Sequence, residues 1–158
     1  PLAKMFPGKT LHGLDWVEAP KKIIDELGAR YGWKMSGHVF DMFSPDYDFK
    51  LEKTGGVLLF SALEQLGTDF GVFLEYLIKE KPAIVVHVDS LQELYDQSIP
   101  FDELAFRFAK KRNYLTGYVA KIKELEQQGK IEIMKIQRVG FGHMHYLDAY
   151  SYDIWRPL

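Results

Sequence analysis

The sequence has no cysteine. That excludes disulfides, thiol nucleophiles and zinc–thiolate centres. It has no apolar run near the ~20 residues that span a bilayer, so no membrane association is expected. Pro1 to Lys9 lacks the apolar core of a secretion signal, and a cytoplasmic location is the expectation. No charge of one sign prevails: 20 Lys+Arg stand against 22 Asp+Glu, a net charge of −2. A nucleic-acid binder carries a basic face that this balance does not supply. There is no Pro/Gly/Ser-rich linker and no repeat of fixed period. P-loop, GxSxG and HExxH motifs are absent too. The first residue is not Met, so residues are expected upstream of Pro1.

What is there is a globular composition, 47% apolar and 15% aromatic over 158 residues. Such a chain fits one domain with a proper core. Short apolar runs alternate with stretches of helical period. Thr10–Asp15 reads as a strand. Ala19-Pro20 opens a helix whose Ile23, Ile24, Leu27 and Tyr31 share a face, and Gly32 ends it. Met35–Phe40 is a second strand. Gly55-Gly56 leads into Val57–Phe60, which has the continuous apolar reading of a buried parallel strand. Thr68 suits the cap of a helix carrying Phe70, Phe73, Tyr76 and Leu77, stopped by Pro82. Ala83–Val88 is another buried strand. Pro100 precedes a long helix, about Asp102 to Gln128, with a stripe through Leu104, Phe108, Leu115, Val119, Ile122 and Leu125. Ile131–Val139 and Tyr146–Trp155 read as an antiparallel hairpin joined by residues 140–145. Alternating βα units predict an α/β fold, a mostly parallel sheet with helices on both faces and the hairpin as added edge strands.

In open α/β sheets, ligands bind beyond the carboxyl ends of the parallel strands. Asp15 and Trp16 follow the first strand, Asp41 and Met42 the second. Ser61 to Gln65 follow the third, and His87 to Tyr95 the fourth. Carboxylates at successive strand ends suit ribose hydroxyls or an adenine amino group. They equally suit strand-end turns. His87 has a side chain fit for a general base at neutral pH, or for a hydrogen-bonded core position. Glu64-Gln65 suits orientation of an acceptor, or the start of a helical turn. Lys110-Lys111-Arg112 suits attraction of an anionic substrate, or a solvated basic face. His143-x-His145 has only Asp148 nearby as a third ligand and reads as a loop pair, so no metal is expected.

The strings GLDWVEAPKKIIDELGARYGW, GHVFDMFSPD and GGVLLFSALEQL, taken in order, resemble class I S-adenosyl-L-methionine-dependent methyltransferases from their second strand onward. The resemblance implies a Rossmann-like domain over residues 1–158 and a transferase that methylates a small-molecule acceptor. It assigns the ribose to Asp15 with Trp16 beside it, and the adenine to Asp41 with Met42 against its face. It places Phe60 to Gln65 near the methionine half, with Phe60 and Ser61 as cofactor contacts; Glu64 and His87 are the catalytic candidates on their own chemistry. The family begins with a strand and a glycine-rich loop, and no such segment precedes Asp15. The chain therefore reads as a domain truncated at its N-terminus. By itself it is expected to bind the cofactor weakly or not at all, and to dimerise or take a partner that completes the sheet. The competing expectations are a non-catalytic Rossmann-like binding or regulatory module and a nucleotide-binding enzyme of another type.

Overall fold

The structure is a computed structural model that describes residues 1–140, 143–144, 147–148 and 150–158, with 143–144 and 147–148 described by backbone only. These residues form a mixed α/β protein of two compact units, Pro1–Asp46 and Tyr47–Leu158.

The first unit contains a short helix α1 (Leu2–Met5), β1 (Leu11–Asp15), α2 (Glu18–Tyr31) and β2 (Met35–Val39). β1 and β2 pair in parallel, Leu11 opposite Met35 and Asp15 opposite Val39. The right-handed βαβ crossover that the alternating pattern predicts is the usual way to join such strands. α2 lies unusually close to the sheet because glycine lines the contact. A Cβ on Gly37 would stand 2.5 Å from the Lys21 backbone, and one on Gly28 would stand 2.8 Å from the Met35 carbonyl oxygen. Gly32, at φ 66°, ends α2 in the left-handed region as its position predicts. The side of α2 facing the sheet is Lys21, Ile24 and Gly28. Ile23, Leu27 and Tyr31 of the predicted stripe are exposed instead. Close backbone contact, rather than an apolar stripe, seats this helix.

The second unit is built on a four-stranded sheet. Its members are β3 (Gly56–Phe60), β4 (Ile84–Asp89), β5 (Ile131–Gln137) and β8 (Ser151–Pro157), in the order β3-β4-β8-β5. β3 and β4 are parallel, and β8 is antiparallel to both β4 and β5. The carboxyl-terminal pair is antiparallel as expected, but β8 is interior, and only β5 forms an edge. The second strand of the pair begins at Ser151 rather than Tyr146. A two-residue antiparallel pair, β6 (His143–Met144) with β7 (Leu147–Asp148), intervenes. His145 and Tyr146 lie outside the described residues.

One face of this sheet is closed. Val85, His87, Asp89, Ser151, Asp153 and Trp155 are all buried, two residues apart on their strands. Tyr118 of α5 (Tyr118–Gln127) packs against His87 and bonds Asp153 and Trp155 on this face, and the 3-10 turn Leu63–Leu66, α3 (Gly71–Glu80) and α5 bury Leu63, Leu74, Leu77 and Ile122. On the other face, Leu58 and Phe60 of β3 are half-exposed, so β3 is not the fully buried strand its composition predicts. α3 starts at Gly71 with no side-chain cap; Thr68 turns to Asp69 instead. Pro82 follows its end, as predicted.

The single long helix of residues 102–128 is two helices, α4 (Pro100–Lys111) and α5. Asn113 (φ 54°) and Gly117 (φ 82°) take the left-handed conformation in the break. Tertiary hydrogen bonds explain it. The Leu115 N–H donates to the Glu64 carbonyl at 3.2 Å and the Thr116 N–H to the Gly67 carbonyl at 3.1 Å. Gln92 Nε2 donates to the Leu115 carbonyl. The break gives up helical bonds and gains these. α4 buries Asp102, Ala105 and Ala109, leaving Leu104 exposed. Asp102 accepts a two-pronged interaction from Arg138, 2.7 Å at Nη2 to Oδ1, and that guanidinium holds its carboxyl below the usual range. Among the described residues no helix is long and apolar enough to cross a membrane.

Gly37→Ala should destabilise the first unit by roughly 1–3 kcal/mol, since the added methyl meets α2 backbone that cannot yield like a flexible side chain. Urea unfolding followed by circular dichroism checks this, and an unchanged midpoint would refute the close-contact account.

Candidate functional site

The parallel pairing of β1 and β2 puts both of their carboxyl ends at one edge of the first unit. Asp15 ends β1, and its carbonyl accepts the Phe40 N–H at 2.8 Å, which ties the two strand ends together. Asp41 follows one residue later. Each carboxylate also closes a local turn: Asp15 Oδ1 accepts the Val17 N–H at 3.1 Å and Asp41 Oδ1 the Phe43 N–H at 2.8 Å. The turn reading and the ligand reading thus coexist, because each Asp uses one oxygen for the turn and keeps a second. Trp16 is 69% exposed beside Asp15, and Met42 is partly exposed beside Asp41. This edge holds two carboxylates and two apolar side chains, an arrangement suited to a flat polar ring with a hydroxylated appendage.

The second unit presents the carboxyl ends of β3 and β4. Phe60 ends β3 and is exposed. Ser61 follows at φ 47°, a left-handed conformation that a non-glycine residue adopts at some expense. Its N–H donates to the Val88 carbonyl at 2.9 Å, so the strained residue is pinned to β4. Glu64, in the turn after Ser61, is 5% exposed. Its own N–H donates to Asp89 Oδ2 at 3.0 Å, and Gln65 Nε2 donates to its Oε1 at 3.4 Å. Burial first, and then the facing Asp89 carboxylate, push the Glu64 carboxyl up to about 7.

His87 lies deeper, fully buried on β4. Its Nδ1 is 2.8 Å from Asp153 Oδ2 on β8. Its Nε2 is 3.5 Å from Asp89 Oδ2, a charge contact that lacks hydrogen-bond geometry. Tyr118 packs edge-on against the imidazole, centroids 4.8 Å apart, and donates its hydroxyl hydrogen to Asp153 Oδ1 at 2.8 Å. Trp155 Nε1 donates to the Tyr118 hydroxyl at 3.2 Å. Burial opposes a charge on His87, but the Asp153 hydrogen bond and the two carboxylates outweigh it and raise the ring to about 9. Burial, with Asp153 beside it, holds the Tyr118 phenol well above its ordinary range.

Asp89, Asp153 and Tyr118 are therefore the partners that reasoning from the sequence missed. The signal was available in part: His87 and Asp89, two apart on a strand, must share a face. Asp153 could not be found that way, because its pairing with His87 depends on the register of a strand 66 residues away. The basic run Lys110-Lys111-Arg112 ends α4 as an exposed face. Side chains at His143 and Asp148, and all of His145, lie outside the described residues. Two surface cavities, of about 420 Å³ along Lys50–Thr54 and about 220 Å³ between α3 and α5, touch none of these groups. No protein-family model matches the chain, and no curated protein matches it significantly.

These protonation states fix the sign of the pH dependence. His87 has a folded pKa of about 9, above its ordinary 6.5. Its contribution is complete below pH 6.5 and is lost as pH rises through 9. Glu64, raised from 4.5 to about 7, favours its neutral form in the fold, so its contribution is lost as pH rises through 7. Both act in one direction. Stability should fall between about pH 5 and pH 9, with His87 accounting for on the order of 3 kcal/mol. Denaturant unfolding across that range tests this, and a flat or rising profile would contradict it. Glu64→Gln should flatten the profile below pH 7 and leave the upper part intact.

Proposed function

We propose that the chain is a Rossmann-like, S-adenosyl-L-methionine-dependent methyltransferase domain acting on a small-molecule acceptor in the cytoplasm. The observation that carries this reading is the pair of parallel strands whose ends bring Asp15 and Asp41 to one edge, with Trp16 and Met42 beside them. That set fits the adenosine half of the cofactor: carboxylate oxygens for ribose hydroxyls and an adenine amino group, and apolar side chains for the ring face. The antiparallel placement of β8 against β4 and β5 agrees with the terminal hairpin that the resemblance implies. The sulfonium supplies an already activated methyl group, so the protein's task is alignment of the acceptor.

On this reading the acceptor's proton passes to Glu64. Its carboxyl titrates near 7, where a proton acceptor works best at neutral pH. His87 is enclosed and already protonated at pH 7, so its role is to position Asp89, which holds the Glu64 backbone. Phe60 and Ser61 keep the methionine-side assignment that the resemblance gives them. A homodimer, or a partner strand, remains part of the proposal because β1 and β3 each pair with a single strand among the described residues.

Calorimetric titration with S-adenosylhomocysteine tests the reading. Binding is expected, with adenosine as a weaker competitor. Asp15→Ala should weaken it by about 1–3 kcal/mol through loss of hydrogen bonds to a charged acceptor. Unchanged affinity in that variant removes Asp15 from the site. Absence of any binding even at millimolar ligand favours the non-catalytic module.

A further inference from the structure

β1 and β2 expose a second chemistry on the face that turns away from α2. Gly13 and Gly37 face Ile24 and Lys21 of α2. Side chains alternate along a strand, so His12, Ser36 and His38 project from the opposite face. The register sets His12 opposite Ser36 and Leu14 opposite His38. His12 Nδ1 and His38 Nε2 are 2.9 Å apart. Ser36 Oγ is 3.1 Å from the first and 3.0 Å from the second. Three donor atoms from adjacent strands thus form a nearly equilateral triangle.

Hydrogen bonds alone do not account for such a triangle. Its internal angles are near 60°, so a hydrogen aimed along one side points well away from the other. A ring nitrogen either donates or accepts, never both; only the serine does both. At most two of the three contacts hold a hydrogen between their atoms. A cation satisfies all three. Donors about 2.1 Å from a metal stand about 3.0 Å apart on one face of an octahedron and about 3.4 Å apart in a tetrahedron, so the triangle fits a six-coordinate ion. We propose that His12, Ser36 and His38 form a site for a borderline first-row divalent cation such as Zn²⁺, with water filling the remaining positions. Imidazole suits zinc, copper and nickel, whereas calcium and magnesium prefer an all-oxygen shell. Burial first, and then the neighbouring His12, hold His38 below its ordinary range. No group of three His, Cys, Asp or Glu converges on a metal among the described residues. This site instead has two imidazoles and a hydroxyl, so modest affinity is expected. Its ligands lie on both strands, so a bound ion would tie β1 to β2 and add its binding energy to the stability of that unit.

Zn²⁺ titrated into metal-stripped protein at pH 7.5 tests the proposal by calorimetry and by thermal unfolding. The expected result is one saturable site with a Kd at or below about 100 μM, and a rise in Tm with added Zn²⁺. His12→Ala and His38→Gln should each weaken binding at least about tenfold and abolish the rise, and Ser36→Ala should weaken it less. His143→Ala with His145→Ala serves as the control and should leave the site intact. Circular dichroism of each variant without metal shows whether it folds; these substitutions lie on a sheet face, so folding is expected. No saturable binding up to about 1 mM Zn²⁺, or full binding by folded His12→Ala, would overturn the proposal. Loss of binding only in the His143/His145 control would overturn it as well.

Discussion

The second unit depends on one buried cation held between two carboxylates. His87 and Asp153 stand directly opposite each other in the antiparallel β4–β8 pair, and Asp89, two residues on, flanks the ring from the same strand. A slip of one residue would turn Asp153 to the other face of the sheet and leave His87 against Asp89 alone. The register is thus specified by charge as well as by shape. Such an arrangement adds little net stability compared with a well-packed apolar one, but removing one member exposes the full desolvation penalty of the others. Tyr118 and Trp155 complete the set, so the first turn of α5 is bound to the same cluster that fixes the sheet.

The cluster also reaches outward. Asp89 accepts the N–H of Glu64 at 3.0 Å and that of Ser90 at 2.7 Å, so one carboxylate ties the end of β4 to the turn after β3. The Glu64 carbonyl in turn receives the Leu115 N–H from the segment between α4 and α5. Gln92 donates to Leu115 from the turn after β4. Three segments distant in sequence, the turn after β3, the end of β4 with the turn that follows it, and the stretch between α4 and α5, meet at one strand edge through hydrogen bonds to backbone groups, which leaves little freedom for Glu64. Ser61 keeps its left-handed conformation because its neighbours determine it from both sides.

Much of the fold was legible in local pattern. β3 runs over Gly56–Phe60, and the other parallel strands lie within a residue of where apolar runs place them. Gly32, Pro82 and Pro100 mark helix boundaries for reasons that require no tertiary knowledge. What was not legible has a common cause. The split between α4 and α5 follows from bonds between Leu115, Thr116 and a distant turn, not from local propensity alone. The exposure of Ile23, Leu27 and Tyr31 follows from glycines in β2 and α2 that admit a close backbone approach. The candidate site was legible to the same extent. The places of Asp15 and Asp41 at strand ends were legible because strand ends are read from sequence, whereas the Asp153 contact with His87 was not legible because it comes from strand pairing.

The two units differ in how they are held, and the difference bears on where a ligand acts. The second unit closes a face of four strands around aromatic and charged groups. In the first, a two-stranded sheet carries one principal helix, and Met5, Trp16, Ile23 and Tyr31 are more than half exposed. Two strands with so little buried apolar area are marginal on their own. Their order relies on the glycine contacts and on Asp25, which accepts the Gly37 N–H at 2.7 Å and so occupies a donor of the β2 backbone. That hydrogen bond, and then Lys21, hold the Asp25 carboxyl below its usual range. Binding regions are commonly drawn from the less stable part of a fold. Asp15 and Asp41 sit on such a part, and any ligand that spanned both strand ends would add its binding energy to the order of that unit. Glu64 and His87 sit instead on the unit whose interior is fixed by charge, where burial and the facing Asp89 carboxylate raise the Glu64 carboxyl.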